Sequence, residues 1–194
     1  MSYIFGVIDF ENRCNIDLML PERDSTGTER SCVYITNYAG LRHNHGINDS
    51  GIENCSMTLA VGERLYTVLY SGKIDNIADL KGELEKDGAV FGCECTAKLL
   101  LYAYVLMGEG FAGKLNGDFI FCIYDEQGER LFAACGYGYK KRLFYAVIGT
   151  AFLFSSDEVA VRRYVNNSDY IGVLKPNNSA YYDREGLSIY KNGG

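Results

Sequence analysis

A chain of 194 residues with 47% hydrophobic residues is long enough to bury one substantial core, and its net charge of -6 opposes nucleic-acid or anionic-membrane binding. No stretch nears the ~20 apolar residues of a membrane span, and the apolar start lacks the basic residues that precede a signal sequence, so one domain over residues 1–194 in the cytoplasm is expected. Seven cysteines (Cys14, Cys32, Cys55, Cys93, Cys95, Cys122 and Cys135) form an odd, scattered set without Cys-x-x-Cys spacing. That excludes a zinc ribbon or a disulfide framework and points to reduced thiols, with no metal and no cofactor.

The opening "MSYIFGVIDF" predicts a buried strand from about Tyr3 to Phe10, beginning almost at the α-amine. Ser31 to Tyr38 supplies β-branched and aromatic residues for a second strand. Gly40 to Gly51, "GLRHNHGINDSG", reads as a loop by its Gly, Asn and Asp content, and holds both histidines, His43 and His45. Met57 to Val61 and Leu65 to Tyr70 read as short strands around a turn at Gly62 and Glu63. A helix follows Asn76, with Asp79 in its first turn, Ile77, Leu80 and Leu84 on one face and Gly88 as a stop. A second, over Thr96 to Met107, is apolar around most of its circumference, as a helix sandwiched between other layers must be. Cys93 and Cys95, just before it, read as one face of a strand.

From Phe119, "FIFCIY" and "RLFAAC" flank the turn "DEQGE", and "RLFYAVIGTAFLFSS" repeats the arrangement with Gly149 and Thr150 at its turn. Strands apolar on both faces are covered on both faces. A short helix follows Ser156, with Asp157 and Glu158 in its first turn. The tail from Ile171 offers two strand-like pieces, "YIGVL" and "SAYYD", around "KPNN". Lys140-Lys141-Arg142 reads as a solvated turn. The order is α+β, and two sheets packed face to face with helices outside would satisfy the doubly apolar strands.

The segments "LYSGKIDNIADLKGELEKDG", "LLLYAYVLMGEGFAGKLNGDFIFCIYDEQGERLFAA" and "RLFYA", then "FLFSSDEVA", resemble the glutaminase domain of glutamine-dependent asparagine synthetases. That domain is of the class II glutamine amidotransferase type, in the N-terminal-nucleophile hydrolase superfamily. "VLKPNNSAYYD" resembles the family's closing hairpin. The resemblance implies a four-layer αββα sandwich and explains why a chain should bury its own start. In the family, residue 2 becomes the N-terminus after Met removal and attacks the glutamine amide, its α-amine acting as base.

Transferred by position, the resemblance implies an altered site. Ser2 stands where the family has cysteine, and a hydroxyl is far less ionised than a thiol. The His-Arg-Gly-Pro-Asp loop corresponds to Asn44, His45, Gly46, Ile47 and Asn48, so His45 replaces the arginine fork implied for the substrate carboxylate. Tyr-Asn-Gly-Glu corresponds to Tyr70, Ser71, Gly72 and Lys73: Gly72 retains a backbone N–H for an oxyanion, Ser71 is shorter than the amide, and Lys73 reverses the charge implied for the substrate ammonium. Ser-Asp-Thr-Glu corresponds to Cys95, Thr96, Ala97 and Lys98, leaving the uncharged Thr96 in the place of an aspartate.

A pocket with His45, Lys73 and Thr96 is unsuited to free glutamine in the family's manner. The leading expectation is a stand-alone, catalytically degenerate domain acting as a binding or scaffolding module, without the ATP-pyrophosphatase half; a separately encoded synthetase-like protein is its expected partner, and the oligomeric state is open. An alternative keeps the enzyme: Ser2 as nucleophile, its freed α-amine as base, Gly72 N–H in the oxyanion hole, and an amide other than free glutamine. A third is a small-ligand binder whose Lys73 and His45 meet an anion. The bland readings stand beside these: Lys73 swung into solvent, His45 holding its own backbone, and Ser2 an ordinary strand residue.

Overall fold

The computed structural model describes residues 3–12, 29–46, 54–86, 88, 95–166 and 170–192. Along the chain run β1 (Tyr3–Ile8), β2 (Glu29–Ile35), β3 (Ala39–Gly46), β4 (Asn54–Val61), β5 (Arg64–Ile74), α1 (Ile77–Lys86), α2 (Thr96–Met107), a 3-10 turn (Glu109–Lys114), β6 (Gly117–Asp125), β7 (Arg130–Cys135), β8 (Leu143–Ile148), β9 (Ala151–Ser155), α3 (Glu158–Arg162), β10 (Gly172–Leu174), β11 (Asn178–Asp183) and β12 (Gly186–Lys191).

Two six-stranded sheets result, ordered β10-β8-β9-β1-β3-β2 and β12-β11-β7-β6-β5-β4, with every pairing antiparallel. The doubly apolar strands do what their pattern requires. In β6, Ile120, Cys122 and Tyr124 face the first sheet, alongside Ile4, Leu41 and Phe154. Its alternate residues, Phe119, Phe121 and Ile123, face α1 and α2. Beyond the first sheet, Ala160 and Tyr164, at α3 and just past it, pack on Phe5, Val7 and Leu153. Layers of helix, sheet, sheet and helix follow, and the expected sandwich is present.

Both long helices fall where the sequence puts them. Asn76 lies just before α1, but its side chain works elsewhere: Oδ1 accepts the Asn116 N–H and Nδ2 donates to the Lys114 carbonyl, both at 2.8 Å. α2 buries Thr96, Ala97, Leu99, Leu100, Leu101, Ala103 and Tyr104, and stops at Gly108, whose φ is +67°. Asp157 is the N-cap of α3, its carboxylate accepting the Val159 N–H at 3.0 Å.

Two expectations need correction. The stretch from Gly40 to Gly46 is not loop but most of β3, held between β1 and β2. Pairing on both edges overrides the weak strand propensity of Gly, His and Asn, and alternation turns Leu41 and His43 inward opposite Gly6 and Ile4. "KPNN" does not close a hairpin: β10 pairs with β8 in one sheet and β11 with β7 in the other, so this turn carries the chain between sheets. The true closing hairpin is β11 with β12, and β12 went unread because its residues alternate weakly.

Candidate functional site

The chain start runs into the middle of the first sheet, with β3 on one side and β9 on the other. Its backbone is pinned by Ser155, the last residue of β9, and by Ser156 just after it. Ser155 Oγ, fully buried, donates to the Ile4 carbonyl at 2.7 Å, and the same carbonyl accepts the Ser156 N–H at 3.0 Å. The Ile4 N–H in turn donates to Ser156 Oγ at 3.0 Å. Three atoms of two consecutive serines thus secure the backbone at Ile4. Ser2 itself lies outside the described residues, as does the side chain of His45, whose backbone pairs with Arg30 in β3.

The end of β5 carries the other transferred positions. Tyr70 turns toward the helices, and its hydroxyl donates to the Gly72 carbonyl at 2.7 Å. Ser71 is fully buried, and Lys141 Nζ donates to its Oγ at 2.8 Å. Lys141 enters from the segment before β8, where its own N–H donates to Asp118 Oδ1 at 3.0 Å. The reading of Lys140-Lys141-Arg142 as a solvated turn therefore holds for its exposed neighbours but not for Lys141. A periodicity argument had no means of finding it, since the contact spans 70 residues.

Gly72 is required where it stands. Its φ is +117°, and a Cβ there would lie 2.3 Å from the Asp118 carbonyl oxygen and 2.7 Å from Phe119 Cα. Lys73, opposite Asp118 in the β5–β6 register, points to solvent: its side chain is 72% exposed and pairs with Asp75 at 3.2 Å. The bland reading of Lys73 is the one the structure supports.

Thr96, buried, opens α2. The start of that helix is brought to β5 through β4, where Asn54 pairs with Ser71 and Cys55 with Tyr70. Cys55 Sγ accepts the Ala97 N–H at 3.3 Å and shares a 3.8 Å hydrogen bond with Cys95 Sγ. Cys95 is the helix N-cap, not a strand residue, and Cys93 lies outside the described residues. The hydrogen bond shared with Cys55, the Lys98 and Ala97 N–H groups and the charge of Lys98 lower the Cys95 thiol to about 6, against the opposing effect of burial. Cys55 is pushed the other way, by the same hydrogen bond and by burial.

Ser71, Gly72 and Thr96 are therefore on neighbouring elements at one end of the second sheet, with Lys141 as a cation nobody would assign from the sequence. Among the described residues no group of three or more potential ligands could hold a metal, and no helix is long and apolar enough to cross a membrane. A cavity of about 400 Å³ lies elsewhere, lined by residues including Phe10, Thr150, Tyr182 and Arg184.

Comparison with known proteins matches residues 1–183 to a family described as a glutamine amidotransferase domain. Asparagine synthetase (glutamine-hydrolyzing) 3 of Bacillus subtilis strain 168 is 34% identical over 123 residues, covering 63% of this chain and 18% of that protein. Asparagine synthetase (glutamine-hydrolyzing) 1 of the same strain is 30% identical over 106 residues, covering 55% and 17%. The chain thus spans less than a fifth of the length of these relatives. Among solved structures, the allosteric regulatory enzyme of purine biosynthesis aligns with TM-score 0.75 and 14% identity over 97% of this chain and 48% of that one. A glutamine aminotransferase class-II domain protein from Silicibacter pomeroyi aligns over the whole of both chains with TM-score 0.51 and 11% identity. At such identities the likeness is one of fold, and the two antiparallel sheets between helices are that fold. The family match from the first residue to Asp183, together with the likeness to asparagine synthetases, places the chain in the class II glutamine amidotransferase domain family.

Proposed function

We propose that this domain does not hydrolyse free glutamine and serves instead as a binding or scaffolding module of the glutaminase type. The observation that carries the reading is Ser71: fully buried, its Oγ accepts from Lys141 Nζ at 2.8 Å, so a short hydroxyl engaged by a cation stands where the family has an asparagine amide. Loss of one oxyanion donor costs about a hundredfold to a thousandfold in rate. Lys73, at the position implied for the substrate ammonium, offers a positive charge and is already paired with Asp75 in solvent. Thr96 supplies no charge to compensate, so a free amino acid's ammonium finds no anionic partner at the transferred positions.

A synthetase-like protein is the proposed partner class, supported by the relatives, in which the matching region is a minor part of a longer protein. The test is ammonia release from glutamine and asparagine by protein whose Met1 removal has been verified by mass, run beside Ser2→Ala. No Ser2-dependent release is expected. Release abolished by Ser2→Ala would overturn the proposal in favour of the second reading, an N-terminal-serine amidohydrolase, which Gly72 favours by keeping the backbone geometry that only glycine fits.

A further inference from the structure

Two thiols from separate elements meet beside this site and take no part in the function argued above. Cys55 belongs to β4 and Cys95 caps α2; 40 residues separate them, and their sulfurs lie 3.8 Å apart. Both side chains pack against the edge of the helix-side core, at the place where β4 meets the first turn of α2. Both residues are partly exposed, unlike Cys122 and Cys135, which are buried. Cys55 is further held in place by the Ala97 N–H.

We propose that Cys55 and Cys95 are a redox-active dithiol that reacts with small-molecule disulfides, of the glutathione disulfide class, and closes to a disulfide linking β4 to the start of α2. The Cys95 thiolate attacks one sulfur of the small disulfide, whose S–S bond breaks and releases a thiolate that takes up a proton. The mixed disulfide on Cys95 is then attacked by Cys55 as it gives up its proton, and the second small thiol departs. Two protein thiols are oxidised, one small disulfide is reduced to two thiols, and no other reactant is needed. The low proton affinity of Cys95 makes it the first nucleophile, and Cys55, which retains its proton, the resolving thiol. The inference is independent of whether the pocket hydrolyses any amide.

The test incubates the fully reduced protein in glutathione buffers of graded oxidised-to-reduced ratio, quenches with acid and an alkylating agent, and maps peptides by mass. The expected result is loss of two alkylatable thiols out of seven, with one linked peptide joining Cys55 and Cys95. In Cys55→Ser the glutathione adduct should accumulate on Cys95; in Cys95→Ser Cys55 should remain alkylatable. Folding of both variants is verified in a separate labelling without the acid quench, by retained protection of the buried Cys122 and Cys135. Full alkylation of both thiols at every ratio, linkage of either to another cysteine, or an adduct on Cys95 of the unaltered protein that never resolves would each overturn the proposal.

Discussion

Lys141 Nζ donates to Ser71 Oγ at 2.8 Å, joining the segment before β8 to the end of β5 across 70 residues of chain. Ser71 is fully buried, so its hydroxyl depends on partners inside the protein. Lys141→Met should destabilise the domain by about 1–3 kcal/mol, the usual cost of depriving a buried polar group of a partner. Adding Ser71→Ala should cost less than the sum of the two single changes. A double-mutant cycle by urea unfolding reads the coupling, and strict additivity would mean that the contact contributes nothing.

Gly72 sits at φ +117° with the Asp118 carbonyl where a Cβ would be. Gly72→Ala must either strain β5 or part it from β6, at a cost of about 1–3 kcal/mol for the backbone conformation alone, with the overlap added. Gly62, also at positive φ but with open space around it, is the control: Gly62→Ala carries the conformational cost without the overlap and should be the milder change in a thermal melt.

Asp125 is buried at the end of β6, with Oδ2 2.9 Å from Arg64 Nη1 and 3.7 Å from Arg130 Nε, while Oδ1 accepts the Gly128 N–H at 2.9 Å. Both arginine side chains are 40–49% exposed. Asp125→Ala therefore leaves two cations that water can solvate, and should cost about 1–3 kcal/mol, mainly from the lost turn hydrogen bond and carboxylate contacts. Replacing both arginines instead should be worse, because a buried carboxylate is left without a counter-ion. Comparing the two unfolding midpoints decides which partner the fold depends on.

The Cys95 thiol, lowered to about 6, should be alkylated at a rate that rises through that pH instead of near the ordinary value of about 8.5. Peptide-resolved iodoacetamide labelling between pH 5 and 9 checks it, with exposed Cys32 as the internal reference. The linkage has a definite sign. A folded thiol more acidic than the unfolded one adds stability that is complete above about 8.5 and is lost as pH falls through about 6. Cys55, raised in the fold, acts oppositely above its unfolded value, so the pair's combined contribution peaks near about 8.5.

Much of this protein was legible in its sequence because local chemistry decides it. The 3.6-residue pattern after Asn76 and the all-round apolar run from Thr96 give α1 and α2 their places, and the doubly apolar "FIFCIY" and "RLFAAC" require cover on both faces, which is the sandwich. Gly72 and its neighbours were reached through the resemblance to the glutaminase family, not through local pattern, which ends that strand at Tyr70. What only the tertiary structure decided is everything that depends on partners distant in the chain. β3 is a strand despite its loop-like residues because β1 and β2 supply its hydrogen bonds. Lys141 is drawn inward by a buried hydroxyl 70 residues away, Lys73 is turned out toward Asp75, and Cys55 meets Cys95 because β4 passes beneath the start of α2. Propensity acts over a few residues and is written in order; pairing, burial and charge act through space, and their outcome exists only once the sheets have closed on one another.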